Sequence, residues 1–120
     1  MKKVLILLLL SLSFLFAFED VNTANFDEKV KGKNVILDFY ATWWTTCKAL
    51  GKSLTKFDAS KTQDVTIYKI DIEAQESLKH RFNIIGVPTV IYMKNGKVLS
   101  KDLGYKNTSK IQSDVNKHFK

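Results

Sequence analysis

Trp43-Trp44-Thr45-Thr46-Cys47 is the stretch whose residue types and spacing could do chemistry. Cys47 is the sole cysteine among 120 residues, and it stands where an apolar run gives way to a helical pattern. A helix N-terminus presents free amide groups and a partial positive charge, which stabilise a thiolate and lower its pKa. A dithiol device sets two sulfurs on that first turn with two residues between them. One attacks a substrate disulfide and the other resolves the mixed disulfide. Cys47 has the second of those places, and Trp44 stands in the first. Indole cannot attack a disulfide. Cys47 lies three residues further in, where the dipole fades and burial is expected to raise its pKa. A thiol near the ordinary ~8.5 is only a few per cent thiolate at neutral pH. A lone cysteine can also be a small buried hydrophobe, but its place after a Trp-rich turn favours a functional origin.

The elements that must position this turn are readable from period and punctuation. Val35-Ile36-Leu37-Asp38-Phe39-Tyr40 is nearly continuous apolar sequence, the pattern of a central strand covered on both faces. Asp38 breaks it, and a carboxylate in a buried run is expensive unless it has a role. Cys47, Leu50, Leu54 and Phe57 recur at three and four through a helix expected over 46–60. A short helix over 25–30 precedes the strand. A second strand is expected over 65–70 and a second major helix over 73–82, with Leu78 and Phe82 on one face. Asn95-Gly96 between two apolar runs predicts a hairpin joining 89–93 to 97–100. A last helix, capped by Thr108 or Ser109, carries Ile111, Val115 and Phe119 on one side. Strands joined through helices should be parallel and the last two antiparallel. The fold class is therefore α/β, a mixed sheet with helices on both faces.

Val35 to Lys48, then Ile85-Gly86-Val87-Pro88-Thr89, then the Asn95-Gly96 hairpin together resemble thioredoxin-family domains over essentially the whole of 18–120. The Leu37 to Trp43 run is similar to thioredoxin domains of exported thiol:disulfide interchange proteins. That resemblance implies roles. Trp43 would pack beside the active turn, Cys47 would be the resolving cysteine, and Asp38 would relay that cysteine's proton. Pro88 would be a cis-proline which, with Val87 and Thr89, faces an extended substrate. Trp44 would mark the lost nucleophile position, leaving the two-cysteine motif incomplete. The implied partners are protein thiols or disulfides and a membrane-linked electron donor, with no cofactor. Two functions follow: a thiol–disulfide oxidoreductase limited to one-thiol chemistry through Cys47, or a non-catalytic polypeptide-binding adaptor using Trp43, Trp44 and Pro88.

The rest of the chain bounds those readings. Met1-Lys2-Lys3 is a short positive segment, and Val4 to Phe18 carries no charge. That run falls short of the roughly 20 apolar residues that span a bilayer. It reads as a signal peptide over 1–17 with Ala17 last before cleavage, which makes the expected location exported, in a bacterial periplasm. Leu15 is a poor residue three places before a cut. An uncleaved anchor is the alternative, and only then would a membrane hold the protein. The net charge is +7 for the whole chain, or +5 without Lys2 and Lys3. The lysines are scattered without interleaved aromatics, so nucleic acid is not an expected partner. His80 and His118 lack further ligands at matching spacing and read as solvated, so no metal site is expected. Glu73 and Glu76 read as a solvated face, Tyr40 as packing. Asn107-Thr108-Ser109 fits a glycosylation sequon, but a helix cap is the better reading there.

Overall fold

In a computed structural model that describes residues 18–119, β1 (Glu19–Asp20) leads into α1 (Phe26–Val30) and β2 (Asn34–Tyr40). There follow α2 (Thr45–Ser60), β3 (Thr66–Asp71), α3 (Glu76–Arg81), the hairpin β4 (Thr89–Lys94) and β5 (Lys97–Leu103), and α4 (Thr108–His118). The expected signal peptide over 1–17 lies outside the described residues. One five-stranded sheet has the order β1-β3-β2-β4-β5. β3 is parallel to β1 and β2, whereas β4 is antiparallel to β2 and β5. This is a mixed sheet, and its central strand is the apolar run that Asp38 interrupts.

Alternation along β2 divides the core. Val35, Leu37 and Phe39 point into a cluster with Phe26, Val30 and Leu78, beneath α1 and α3. Ile36 points the opposite way, into a cluster with Leu50, Leu54 and Phe57 of α2 and Ile111 and Val115 of α4. By the same period, Asp38 lies on the α2 face of the strand. The helix that carries Cys47 therefore covers the carboxyl.

The hairpin turn works because both central residues take positive φ, Asn95 at 48° and Gly96 at 78°, as a two-residue connection with right-handed strand twist requires. Strand β5 extends three residues past the expected end, to Leu103. The expected helix over 73–82 begins only at Glu76, because the Asp71 carboxylate accepts from Glu73 N at 2.9 Å and Ala74 N at 3.4 Å and holds those residues in a turn. The cap of α4 is Asn107, whose side chain accepts from Lys110 N at 2.8 Å, rather than Thr108 or Ser109.

His118 departs from the solvated reading. Its ring stacks on buried Tyr92, with centroids 5.2 Å apart. Tyr92 in turn donates its hydroxyl to Asp114 Oδ2 at 2.9 Å, and Lys106 and Lys110 both pair with that carboxylate. Burial pushes the Asp114 carboxyl up, but the hydrogen bonds from Lys106, Lys110 and Tyr92 outweigh it and hold the group below the usual carboxylate range. This cluster joins α4 to the sheet.

Candidate active site

Three loops leave the same end of the sheet. Register sets Phe39 of β2 opposite Thr89 of β4 and Tyr40 opposite Asp71 of β3. The Ala41–Trp44 loop after β2, the Pro88 loop before β4 and the Glu73 turn after β3 are thereby neighbours. Trp44 N donates to Ala41 O at 3.2 Å, and Cys47 N donates to Trp44 O at 3.1 Å. The second bond closes the first turn of α2, with Trp44 as its N-cap in extended conformation. Such a turn brings the first and fourth Cα atoms within about 7 Å, inside the span that a disulfide can bridge. The Trp44 side chain makes no capping hydrogen bond, and Cys47, on the first turn of the helix, is 6% exposed.

The two tryptophans form a lid on that turn. Their rings meet edge to face with centroids 5.1 Å apart. Trp43 donates its indole N–H to Glu73 Oε1 at 2.8 Å, so Glu73 is a tether and not the free solvated residue its spacing suggested. Both rings remain open to solvent, Trp43 at 62% and Trp44 at 42%.

Below the turn the electrostatics run against a stable thiolate. Burial pushes the Cys47 thiol up, a backbone hydrogen bond at Ala41 opposes this, and the Asp38 charge adds to the rise. Asp38 is 3% exposed, and burial pushes its carboxyl up to about 7, with Lys69 pulling it down and Asp20 pushing it up. Its Oδ1 has no hydrogen-bond partner among the described residues. Asp38 and Cys47 both line one cavity. Tyr40, at the rim, donates its hydroxyl to Asp20 Oδ1 at 2.8 Å while Lys69 Nζ lies 4.7 Å above its ring. This is a packing role.

The Val87–Pro88 peptide is cis. Thr89 Oγ1 donates to Gly86 O at 2.7 Å, and Gly104 N donates to Pro88 O at 2.8 Å. A Cβ on Gly86 would stand 3.1 Å from Leu103 Cδ1, so glycine lets this loop lie close against β5. Ile85, just before it, is 84% exposed.

A thioredoxin family model matches residues 17–117. The chain belongs to the thioredoxin family. It is 28% identical to a thioredoxin of Staphylococcus aureus over 103 residues, which is 86% of this chain and 99% of the relative. The same figures hold for the Staphylococcus haemolyticus protein. Among solved structures it is similar to the Malassezia sympodialis thioredoxin, with a TM-score of 0.75 and 27% identity over 85% of this chain and 90% of that one. A mutant thioredoxin from Halobacterium salinarum superposes with a TM-score of 0.77 at 20% identity, over the same shares of the two chains, a likeness of fold alone. Membership in the thioredoxin family points to thiol–disulfide oxidoreduction with protein thiols and disulfides as substrates.

The fold brings Asp38, Trp43, Trp44 and Cys47 together around one turn, with the Val87-Pro88-Thr89 loop beside it. Two contributors escaped the sequence reading. Glu73 reaches Trp43 across 30 positions, which no local pattern reveals. Lys48, Lys52 and Lys56 recur every fourth residue of α2 and line the Asp38–Cys47 cavity. Their spacing was visible in the sequence, although what they surround was not. Among the described residues no group of three or more His, Cys, Asp or Glu side chains could hold a metal, and no helix is long and apolar enough to cross a membrane.

Proposed function

We propose that this chain is an exported thiol–disulfide oxidoreductase of the thioredoxin type in which Trp44 occupies the place of the attacking cysteine, leaving Cys47 to one-thiol chemistry. The observation that carries this is the Cys47 N–Trp44 O bond at 3.1 Å. It defines a turn whose first position would hold a sulfur within disulfide reach of Cys47, and that position bears an indole. In this reading Asp38, which lines the same cavity as Cys47, accepts the Cys47 proton. The Cys47 thiolate attacks one sulfur of a partner disulfide, forms a mixed disulfide and expels the other sulfur as a thiolate, which takes up the proton. No second internal sulfur completes the cycle, so an external thiol must release the adduct. The uncharged run from Val4 to Phe18 supports export to a bacterial periplasm, where a membrane-linked donor would supply that thiol. Intact mass after incubation with a disulfide-bonded protein tests this. The expected result is a mixed disulfide at Cys47 with no catalytic turnover of insulin disulfides by dithiothreitol, and turnover above background would overturn it.

A second reading has its own observation. Trp43, Trp44 and Ile85 are all exposed apolar side chains at the end of the sheet that holds Pro88, which suits a polypeptide-binding adaptor. Cys47→Ser and Trp44→Ala separate the two. The adaptor reading requires that the first variant keep partner binding and the second lose it.

A further inference from the structure

Cys47 has a second approach, and Trp44 is not on it. A cavity of about 790 Å³ lies between α2 and the sheet. Its walls include Phe18, Tyr40, Ala41 and Gly51, and its floor carries Asp38 and Cys47. Lys48, Lys52, Lys56 and Lys69 also line it. We infer that this cavity admits a small anionic disulfide bearing an N–H donor, such as that of a short thiol peptide, and presents it to Cys47 by a route that Trp44 does not line. The inference rests on the one-thiol reading of Cys47 and names the substrate class for it.

Three features converge on that class. Lys48, Lys52 and Lys56 stand at successive i, i+4 positions, where like charges repel and destabilise a helix. Among the described residues none of the three has a carboxylate within ion-pair distance. A solvated lysine face would explain that charge, but not its position around a cavity whose lining holds a single, buried carboxyl. Asp38 supplies the second feature, since it lines the cavity, is 3% exposed, and has a carboxyl oxygen with no hydrogen-bond partner among the described residues. An N–H donor in the ligand would satisfy it. A long-chain carboxylate would meet the lysines with its head, yet would offer the Asp38 carboxyl only hydrocarbon. The third feature is sulfur itself, at the same floor.

The reaction is an exchange that balances without any further oxidant. The Cys47 sulfur attacks one sulfur of the ligand disulfide, the ligand S–S bond breaks, and a new S–S bond joins Cys47 to half of the ligand. The other half leaves as a thiolate and takes the proton that Cys47 gave up. Cys47 is oxidised and the departing sulfur reduced. A second molecule of the same thiol reverses the step.

Three symmetric disulfides of different charge test this on the purified protein: glutathione disulfide, neutral hydroxyethyl disulfide and cationic cystamine. Intact mass follows adduct formation at Cys47, and each rate is divided by that of the same disulfide with the urea-unfolded chain. The expected order is anionic, neutral, cationic, spanning about tenfold or more at low salt and narrowing as salt rises. Replacing the exposed Lys48, Lys52 and Lys56 together by Gln should abolish the order while the circular dichroism spectrum is retained. Equal normalised rates, an order that survives the triple substitution, or no adduct with any probe would each overturn the inference. Failure of the one-thiol reading shows elsewhere, as insulin turnover by the unaltered chain.

Discussion

Asp38→Asn should make this protein more stable, and by an amount that grows with pH. The carboxyl is 3% exposed with one oxygen unpartnered, and burial raises its pKa from 3.8 to about 7. Between those values the unfolded chain gives up a proton that the folded chain keeps. Stability therefore falls as pH rises through the window from about 4 to about 7 and levels off above it. Each pKa unit is worth about 1.4 kcal/mol, so the full penalty is about 4 kcal/mol at about pH 8.5. At about pH 5.5 the native carboxyl is still protonated and the penalty is about 2 kcal/mol. Asparagine has the same shape and never ionises, so the variant escapes both. Its gain should be larger at the higher pH by about 2 kcal/mol, or roughly 1–2 M in the urea midpoint. Urea titrations of both proteins at both pH values measure this. A gain that is equal at the two pH values, or smaller at the higher one, would refute a desolvated carboxyl at this position.

Other consequences are local. Glu73→Ala removes the acceptor of the Trp43 indole N–H; stability should drop by no more than about 1 kcal/mol, since the bond is exposed, while indole fluorescence and its quenching by acrylamide change. An unchanged tryptophan signal would contradict the tether. Lys106→Met leaves the buried Asp114 with one cation fewer and should cost about 3 kcal/mol in chemical denaturation. A cost below about 1 kcal/mol would mean that Lys110 and Tyr92 suffice.

Much of this architecture was legible because hydrophobic period and turn chemistry agree along the chain. The apolar run of β2, the four-residue face of α2 and Asn95-Gly96 each allowed one assignment. Asp38 stood out because it breaks a buried run. What escaped was decided by side chains reaching outside their own element. Asp71 consumes the amides of Glu73 and Ala74, so α3 starts late. Asn107 caps α4 although two good capping residues follow it. Strand β1 is two residues long, too short to carry a pattern, and exists because Tyr68 and Lys69 offer it an edge. At the site, Cys47 and Trp44 could be named from spacing and Pro88 from the family resemblance, whereas the Glu73 tether and the lysines around the cavity needed the folded chain.

The central claim is that this scaffold keeps everything a dithiol turn needs except the sulfur at position 44. The most direct measurement is insulin reduction by dithiothreitol with the unaltered chain and with Trp44→Cys side by side, each checked for an internal disulfide by intact mass after oxidation. The account predicts background rate and no internal disulfide for the first, and a two-hydrogen mass loss on oxidation with restored turnover for the second. Equal activity of the two proteins, or a Trp44→Cys variant that folds but cannot close the disulfide, would contradict it.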